Sequence, residues 1–225
     1  MSILLPTAFE VQLLDELEQA VDGSCAEQCT FQDRYWDELT AQERTPLAKA
    51  AVKRRREFAA GRRAAKKCAQ RLGTPIDRLL IGSQREPCWP SQITGAISHD
   101  ASSALAWLAP SEHLRGLGLD VEKASRLKRG AWRLLFTQAE LSLLEKSDDS
   151  ELALILFSAK ESVYKCLFPT VNRYVGYKEV SLEPTADNQL HCVTNEALAE
   201  ESGVSDLLVW FLRGPKRLAT WTWLR

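Results

Sequence analysis

A long helical stretch gives way to strands twice in this chain, and that repetition restricts the architecture more than any single residue does. The first stretch, TPLAKAAVKRRREFAAGRRAAKKCAQRLG, runs from Thr45 to Gly73. Thr45 and Pro46 occupy cap and first-turn positions, and Gly73 is the stop. Leu47, Ala51, Phe58, Ala65 and Leu72 fall on one stripe of it. The second stretch spans about Glu151 to Phe168, capped by the acidic turn SDDS and ended by Pro169. At ~100° per residue, Leu152, Ile155, Leu156, Ala159, Val163 and Leu167 share one side of it. The segments AISHDASSALAWLA and LRGLGLDVE follow the first helix, and YVGYKEVSLEP, LHCVT and LATWTWLR follow the second; all read as strands. A further helix is expected around Ala131 to Lys146 and a short one near Glu196 to Ser202, while residues 1 to about 43 read as strands and loops. Two helix-then-strand halves meeting near residues 105 to 115 are the division this pattern predicts.

Composition decides which functions are open to such a chain. Its 225 residues, 45% of them hydrophobic, suffice for one large domain or two small ones. A net charge of -1 is not that of a protein that coats nucleic acid or an anionic membrane, so any such role must rest on a local patch. The six cysteines form no C-x-x-C pair and have no companion histidines, which argues against structural zinc. No apolar run is long enough to span a bilayer, and the start MSILLPTAFE lacks the basic region of a secretory signal. Cytoplasm with reduced thiols is the expected location.

Within the strand GLGLDVEK, Asp120 and Glu122 project to one face while Leu119 and Val121 take the other. Carboxylates that close repel unless something positive sits between them; magnesium, which takes one or two carboxylates plus substrate phosphates, is one solution, and solvated acids at a strand end are the other. In FSAKESVYKCLFP, Glu161 and Lys165 lie opposite the aliphatic stripe together with Phe157, Tyr164 and Phe168. A merely wet face would carry fewer aromatics, so the helix is expected to have two covered faces, with Glu161 a third carboxylate and Lys160 or Lys165 a cation for phosphate. On the basic helix, Arg54 and Arg62 each stand four residues from Phe58 and flank the buried stripe; Lys53, Arg56 and Arg63 point elsewhere. The two flanking guanidiniums require anionic partners, either a phosphate or a protein carboxylate. Arg85 in REPCWP and Ser98-His99 in ISHD add a cation, a hydroxyl and an imidazole in turn-rich segments.

The ordered elements RRREFAAGR, REPCWP, ISHD, GLGLDVEK and FSAKESVYK resemble those of the 4′-phosphopantetheinyl transferases of the surfactin and enterobactin type, over about residues 45 to 185. That resemblance implies an α+β fold: a pseudo-twofold pair of α/β halves, each with a small antiparallel sheet packed on a long helix. The halves would be residues 1–110, contacting the coenzyme A phosphates and adenosine, and 111–225, carrying the magnesium site and the catalytic helix. It implies transfer of phosphopantetheine from coenzyme A to a serine of an apo acyl or peptidyl carrier protein, releasing adenosine 3′,5′-bisphosphate. The pathways open to it are siderophore or other nonribosomal peptide, polyketide or fatty-acid synthesis. Asp120, Glu122 and Glu161 match the metal ligands, with Glu161 also a candidate to take the serine proton. Lys165, Lys160, Arg54, Arg62, Arg85, Ser98 and His99 match positions around the coenzyme A phosphates, and Glu161, Lys165 and Asp120 form the expected catalytic set. A monomer with no nucleic-acid partner is implied. The basic run KASRLKRGAWR is either a docking surface for an acidic carrier or a solvated loop and helix start.

Two positions depart from the pattern. Asp100 follows His99 where relatives often have an uncharged residue, which is unfavourable beside a phosphate unless it points away or orients the imidazole; Phe157 replaces a frequent tryptophan. The rival readings are a magnesium-dependent nuclease and a nucleic-acid-binding module using the Arg54 to Lys67 stretch. The first requires a broad basic groove, and the second leaves Asp120, Glu122 and Glu161 without a role.

Overall fold

The computed structural model describes residues 7–112, 114–125, 127–147, 150–186 and 188–225. In chain order its elements are α1 Ala8–Ala20, β1 Cys25–Thr30, α2 Arg34–Asp37, α3 Ala41–Arg44, a 3-10 turn Thr45–Leu47, α4 Val52–Arg71, β2 Ile93–His99, β3 Ser103–Pro110 and β4 Gly116–Lys123. There follow α5 Arg129–Leu135, α6 Gln138–Ser147, α7 Ser150–Val171, β5 Val180–Ala186, β6 Gln189–Thr194, α8 Glu196–Ser202, β7 Asp206–Arg213 and β8 Arg217–Leu224. They build an α+β molecule of two lobes, each a small antiparallel sheet on a long helix.

The first sheet has the order β1-β3-β2 and packs on α4; the second has the order β4-β8-β7-β6-β5 and packs on α7. Small side chains set the first contact: Ala59, Ala60, Ala64, Ala65 and Cys68 of α4 are buried in one core with Cys25, Cys29, Ala104, Ala106 and Leu108 of β1 and β3. In the second lobe Ile155, Leu156, Ala159, Val163 and Leu167 of α7 form a core with Leu182, Leu190, Val209 and Phe211 of the sheet. A third core joins the lobes, where Ala96, Leu105 and Trp107 meet Leu117, Leu119, Val121 and Trp221. Phe9, Leu13 and Leu17 of α1 complete it.

Several boundaries differ from the sequence expectation for identifiable reasons. Residues 8–20 are helical, because Phe9, Leu13 and Leu17 recur at four-residue spacing behind a capping box in which Thr7 and Glu10 bond reciprocally. The helix expected from Thr45 begins at Val52, since Thr45–Leu47 form a separate 3-10 turn and Ala51 is extended at ψ 150°. Gly73, at φ 72°, does end it in the left-handed conformation that favours glycine. The helix expected over 131–146 is broken into α5 and α6 by a second capping box, Thr137 with Glu140. Pro169 lies inside α7, which continues to Val171 before Asn172 turns left-handed. Asp148 and Asp149 of the expected SDDS cap lie outside the described residues.

Candidate active site

Residues 116, 118, 120 and 122 share one face of β4, and that face meets α7. A β-carbon on Gly116 would stand 2.0 Å from the Cys166 carbonyl oxygen, and one on Gly118 would stand 1.9 Å from that of Ser162. Only glycine lets the helix backbone lie this close to the strand. The two glycines therefore press α7 against β4 directly beside the carboxylates.

Asp120 is 5% exposed and fully engaged. Its Oδ1 accepts from Ser98 Oγ at 3.0 Å and from Lys165 Nζ at 2.8 Å, and its Oδ2 accepts from Ser158 Oγ at 2.8 Å. Lys165 also donates to the Leu119 carbonyl at 2.8 Å, which anchors the ammonium to β4. Ser158 and Ser162, one turn apart on α7, both contact Thr220 of β8. Ser98 accepts from Val121 N–H at 3.1 Å, so one hydroxyl ties β2 of the first lobe to β4 of the second.

Glu122, two residues on, has no comparable set of side-chain donors among the described residues. Burial first, then the neighbouring Asp120, with a smaller push from Glu161, raises its carboxyl to about 7, against the pull of Lys165. Glu161 is held from the other side, its Oε1 accepting from the Tyr177 hydroxyl at 2.5 Å. Burial and this carboxylate push the Tyr177 phenol far up, so it stays a neutral donor. Glu122 thus feels both other carboxylates and the Lys165 ammonium that pairs with Asp120. Among the described residues no group of three or more His, Cys, Asp or Glu side chains is preassembled for a metal ion.

A cavity of about 550 Å³ opens beside Lys165, between the segment 84–97 and α7, walled by Trp89, Ile93, Ile97, Leu114, Tyr164 and Phe168. Arg85 lines it from a left-handed backbone at φ 74°, a strained conformation for a residue with a β-carbon. Gln84 Nε2 donates to the Asn172 carbonyl at 2.7 Å, bridging the two lobes.

The remaining expected residues divide into two groups. Arg54 and His99 meet each other, with Arg54 Nη1 2.9 Å from His99 Nε2. Arg62 and Lys160 turn into the protein. Arg62 is 6% exposed, lies over the Phe58 ring and donates to the Leu79 carbonyl at 3.2 Å; burial pulls its guanidinium down to about 10. Lys160 is 2% exposed and donates to the carbonyls of Tyr177 at 2.5 Å and Val180 at 2.9 Å, with Glu140 at 2.8 Å. Its pKa is lowered by burial, against the pull of Glu140. Asp100 points away from the cleft, toward Arg217 at 2.8 Å, and Phe157 packs on Tyr177. Arg56 and Arg63 pair with Asp33 and Glu38. Sequence reasoning did not anticipate Ser158, Thr220, Tyr177 or Glu57. Gly116 and Gly118 were the available signal for Ser158, because a strand that admits a helix backbone must be faced by small residues.

Comparison with known proteins gives matches along most of the chain. Residues 42–109 match the family described as 4′-phosphopantetheinyl transferase N-terminal domain, and residues 116–208 match the 4′-phosphopantetheinyl transferase superfamily. Enterobactin synthase component D of Salmonella typhi is 34% identical over 178 residues, covering 75% of this chain and 71% of the relative. The 4′-phosphopantetheinyl transferase PptT of Mycobacterium tuberculosis is 32% identical, with 65% and 66% covered, and Npt of Nocardia iowensis is 30% identical, with 66% and 68% covered. The matched region spans about two thirds of the length of these last two relatives.

Proposed function

The chain belongs to the 4′-phosphopantetheinyl transferase family of enzymes, and from that premise we propose that it moves phosphopantetheine from coenzyme A to a serine of an apo carrier protein. The observation that carries this reading is the polar cluster Asp120–Lys165–Ser98–Ser158, with Glu122 and Glu161 next to it, at the mouth of an apolar cavity between two lobes. The cavity has the size of a small-molecule site and suits the pantetheine arm. Lys165 and Arg85, which line it, together with Arg54, supply positive charge for the pyrophosphate and the 3′-phosphate, and His99 stands beside Arg54.

A magnesium ion fits the donor set. The candidates are all oxygen ligands, and the raised Glu122 carboxyl marks negative charge that a cation would relieve. Asp120, Glu122 and Glu161 would hold it, and when bound it would neutralise charge on the pyrophosphate. The protein's own part is positional. Lys165 draws the phosphate oxygens toward β4, while the Tyr177 hydroxyl holds one oxygen of Glu161 and leaves the other to receive a proton. The carrier serine oxygen attacks the phosphorus nearest pantetheine and gives up its proton. The bond from that phosphorus to the bridging oxygen breaks, and adenosine 3′,5′-bisphosphate leaves with the bridging electrons.

For the carrier, Leu134 of α5 is 75% exposed, and the exposed residues Lys123, Lys128, Arg129 and Arg133 lie in the segment from the end of β4 through α5. An exposed apolar residue in a basic segment suits an acidic helical partner. Arg126 of the same run lies outside the described residues.

The test mixes the protein with coenzyme A, magnesium and an unmodified carrier, and measures the carrier by mass spectrometry. Addition of phosphopantetheine is expected; no mass gain on any of several carriers overturns the reading. Asp120→Ala should cut transfer by at least about a hundredfold, equal to ~2.7 kcal/mol of barrier.

A further inference from the structure

Glu57 is a buried acid in the most basic segment of the chain, 8% exposed although its neighbours in sequence are Arg54, Arg55 and Arg56. Its Oε2 stands 3.4 Å from Arg54 Nη1 and 3.8 Å from His99 Nε2, and its Oε1 stands 3.8 Å from Lys53 Nζ. Arg54 Nη1 in turn lies 2.9 Å from His99 Nε2. A guanidinium only donates, so His99 must accept at Nε2, and the ring is neutral with its proton on Nδ1. In that state the imidazole turns a lone pair, not a proton, toward an arriving phosphate. A carboxylate beside an anion site also repels the anion, so its presence calls for a compensating task.

We propose that Glu57 is a positioning residue for the phosphate end of coenzyme A: it gathers Arg54 and His99 in the free protein and keeps the imidazole able to take up a proton when phosphate arrives. This rests on the coenzyme A reading above. On binding, Arg54 leaves Nε2 for a phosphate oxygen, a proton from solvent adds to Nε2, and the new N–H donates to the phosphate. No bond to phosphorus changes. Glu57, 3.8 Å from Nε2, remains as the counter-charge of the imidazolium.

The groups facing His99 fit this exchange. From α4 come Arg54 and Glu57; from α7 comes Lys165, which is committed to Asp120. Asp100, next in the chain, has its carboxylate turned to Arg217, and from β4 Asp120 reaches the adjacent Ser98. Burial first, with Arg54 and Lys165 adding, holds the imidazole below its ordinary range, and Glu57 opposes them. A phosphate dianion adds to the side of Glu57 and reverses the balance.

Isothermal titration of coenzyme A into the magnesium-loaded full chain at about pH 8, in two buffers of different ionisation enthalpy, counts the protons exchanged. The wild-type protein should take up close to one proton. Glu57→Gln should lose most of that uptake and bind about tenfold more weakly, with its melting temperature within a few degrees of wild type. Glu57→Asp should recover part of the uptake, which a purely structural role does not predict. His99→Gln, on a partly exposed side chain, should abolish the uptake even if Glu57→Gln fails to fold. Binding to wild type without proton uptake, or unchanged uptake in Glu57→Gln or His99→Gln, overturns the proposal alone. No binding to wild type overturns the coenzyme A reading and the proposal with it.

Discussion

In the N-terminal lobe the capping glutamate Glu43 accepts the Leu79 N–H at 3.0 Å and pairs with Lys66 of α4 at 2.9 Å. In the C-terminal lobe Glu140, at the same place in its own Thr-x-x-Glu box, accepts the Leu182 N–H at 2.9 Å and pairs with Lys160 of α7 at 2.8 Å. The two lobes thus use one device to fasten a short helix, a long helix and an extended segment. They differ in how dry it is: the Lys66 side chain is 25% exposed and that of Lys160 only 1%. They differ again where the long helix meets the sheet. Alanines fill that contact under α4, whereas Ser158, Ser162, Thr220 and Asp120 occupy it under α7. The same scaffold therefore serves as an apolar support in one lobe and as a polar site in the other, and the polar version needs the more deeply buried fastening.

This contrast can be broken at its tightest point first. Gly118→Ala drives a β-carbon into the Ser162 carbonyl oxygen, which belongs to rigid backbone, and should cost about 3–5 kcal/mol in a denaturant titration. Gly61→Ala on α4 meets side chains and no backbone, the Ile97 methyl at 2.9 Å and the Ala104 β-carbon at 3.9 Å, and gains helix propensity, so it should stay within about 1 kcal/mol of wild type. Equal losses would mean that the two helix contacts are not of different kinds.

The next largest difference separates the two glutamates. Glu140→Ala strands a buried ammonium and should cost about 3–5 kcal/mol, whereas Glu43→Ala leaves a lysine that can reach water and should cost about 1–2 kcal/mol. Thermal melts of the pair at one pH check the ratio.

The smallest effect is a gain. The folded-state pKa of Glu122 lies above its unfolded value, so protonation stabilises the fold; that contribution is complete below about pH 4.5 and is lost as pH rises through about 7. Glu122→Gln should therefore stabilise the chelator-treated protein at about pH 8 by ~1–2 kcal/mol, discounted for partial solvent screening, and give little gain at about pH 5. A melting temperature that moves equally at both values would remove the electrostatic account of that carboxyl.

The sequence carried the long helices, the strand segments that follow them and the shared face of Asp120 and Glu122, because each rests on periodicity within one element. It did not carry α1, whose buried Phe9, Leu13 and Leu17 are interspersed with six polar or charged residues and whose cap is set by Thr7 and Glu10. Helical angles placed Arg62 beside the stripe and the motif offered Lys160 as a cation for phosphate, but neither could say what covers these side chains. The segments 79–80 and 177–180 fold back over these two side chains and offer their carbonyls, a long-range event invisible in a helical wheel. Glu57 was hidden for the opposite reason: one acid among the nine basic residues of α4 reads as local charge balance until His99, forty-two positions away, is brought to it.

Arg217 of β8 reaches Glu10 of α1 at 2.5 Å, Asp100 at 2.8 Å and Ser103 at 2.9 Å, so one side chain from the second lobe grips both the leading helix and the turn that carries His99. Its consequence is mechanical. Opening the cleft on this side would break this three-pronged fastening and part the α1 core beneath it. Under the proposed transferase reading, a carrier would then approach two lobes that are tied together behind the site.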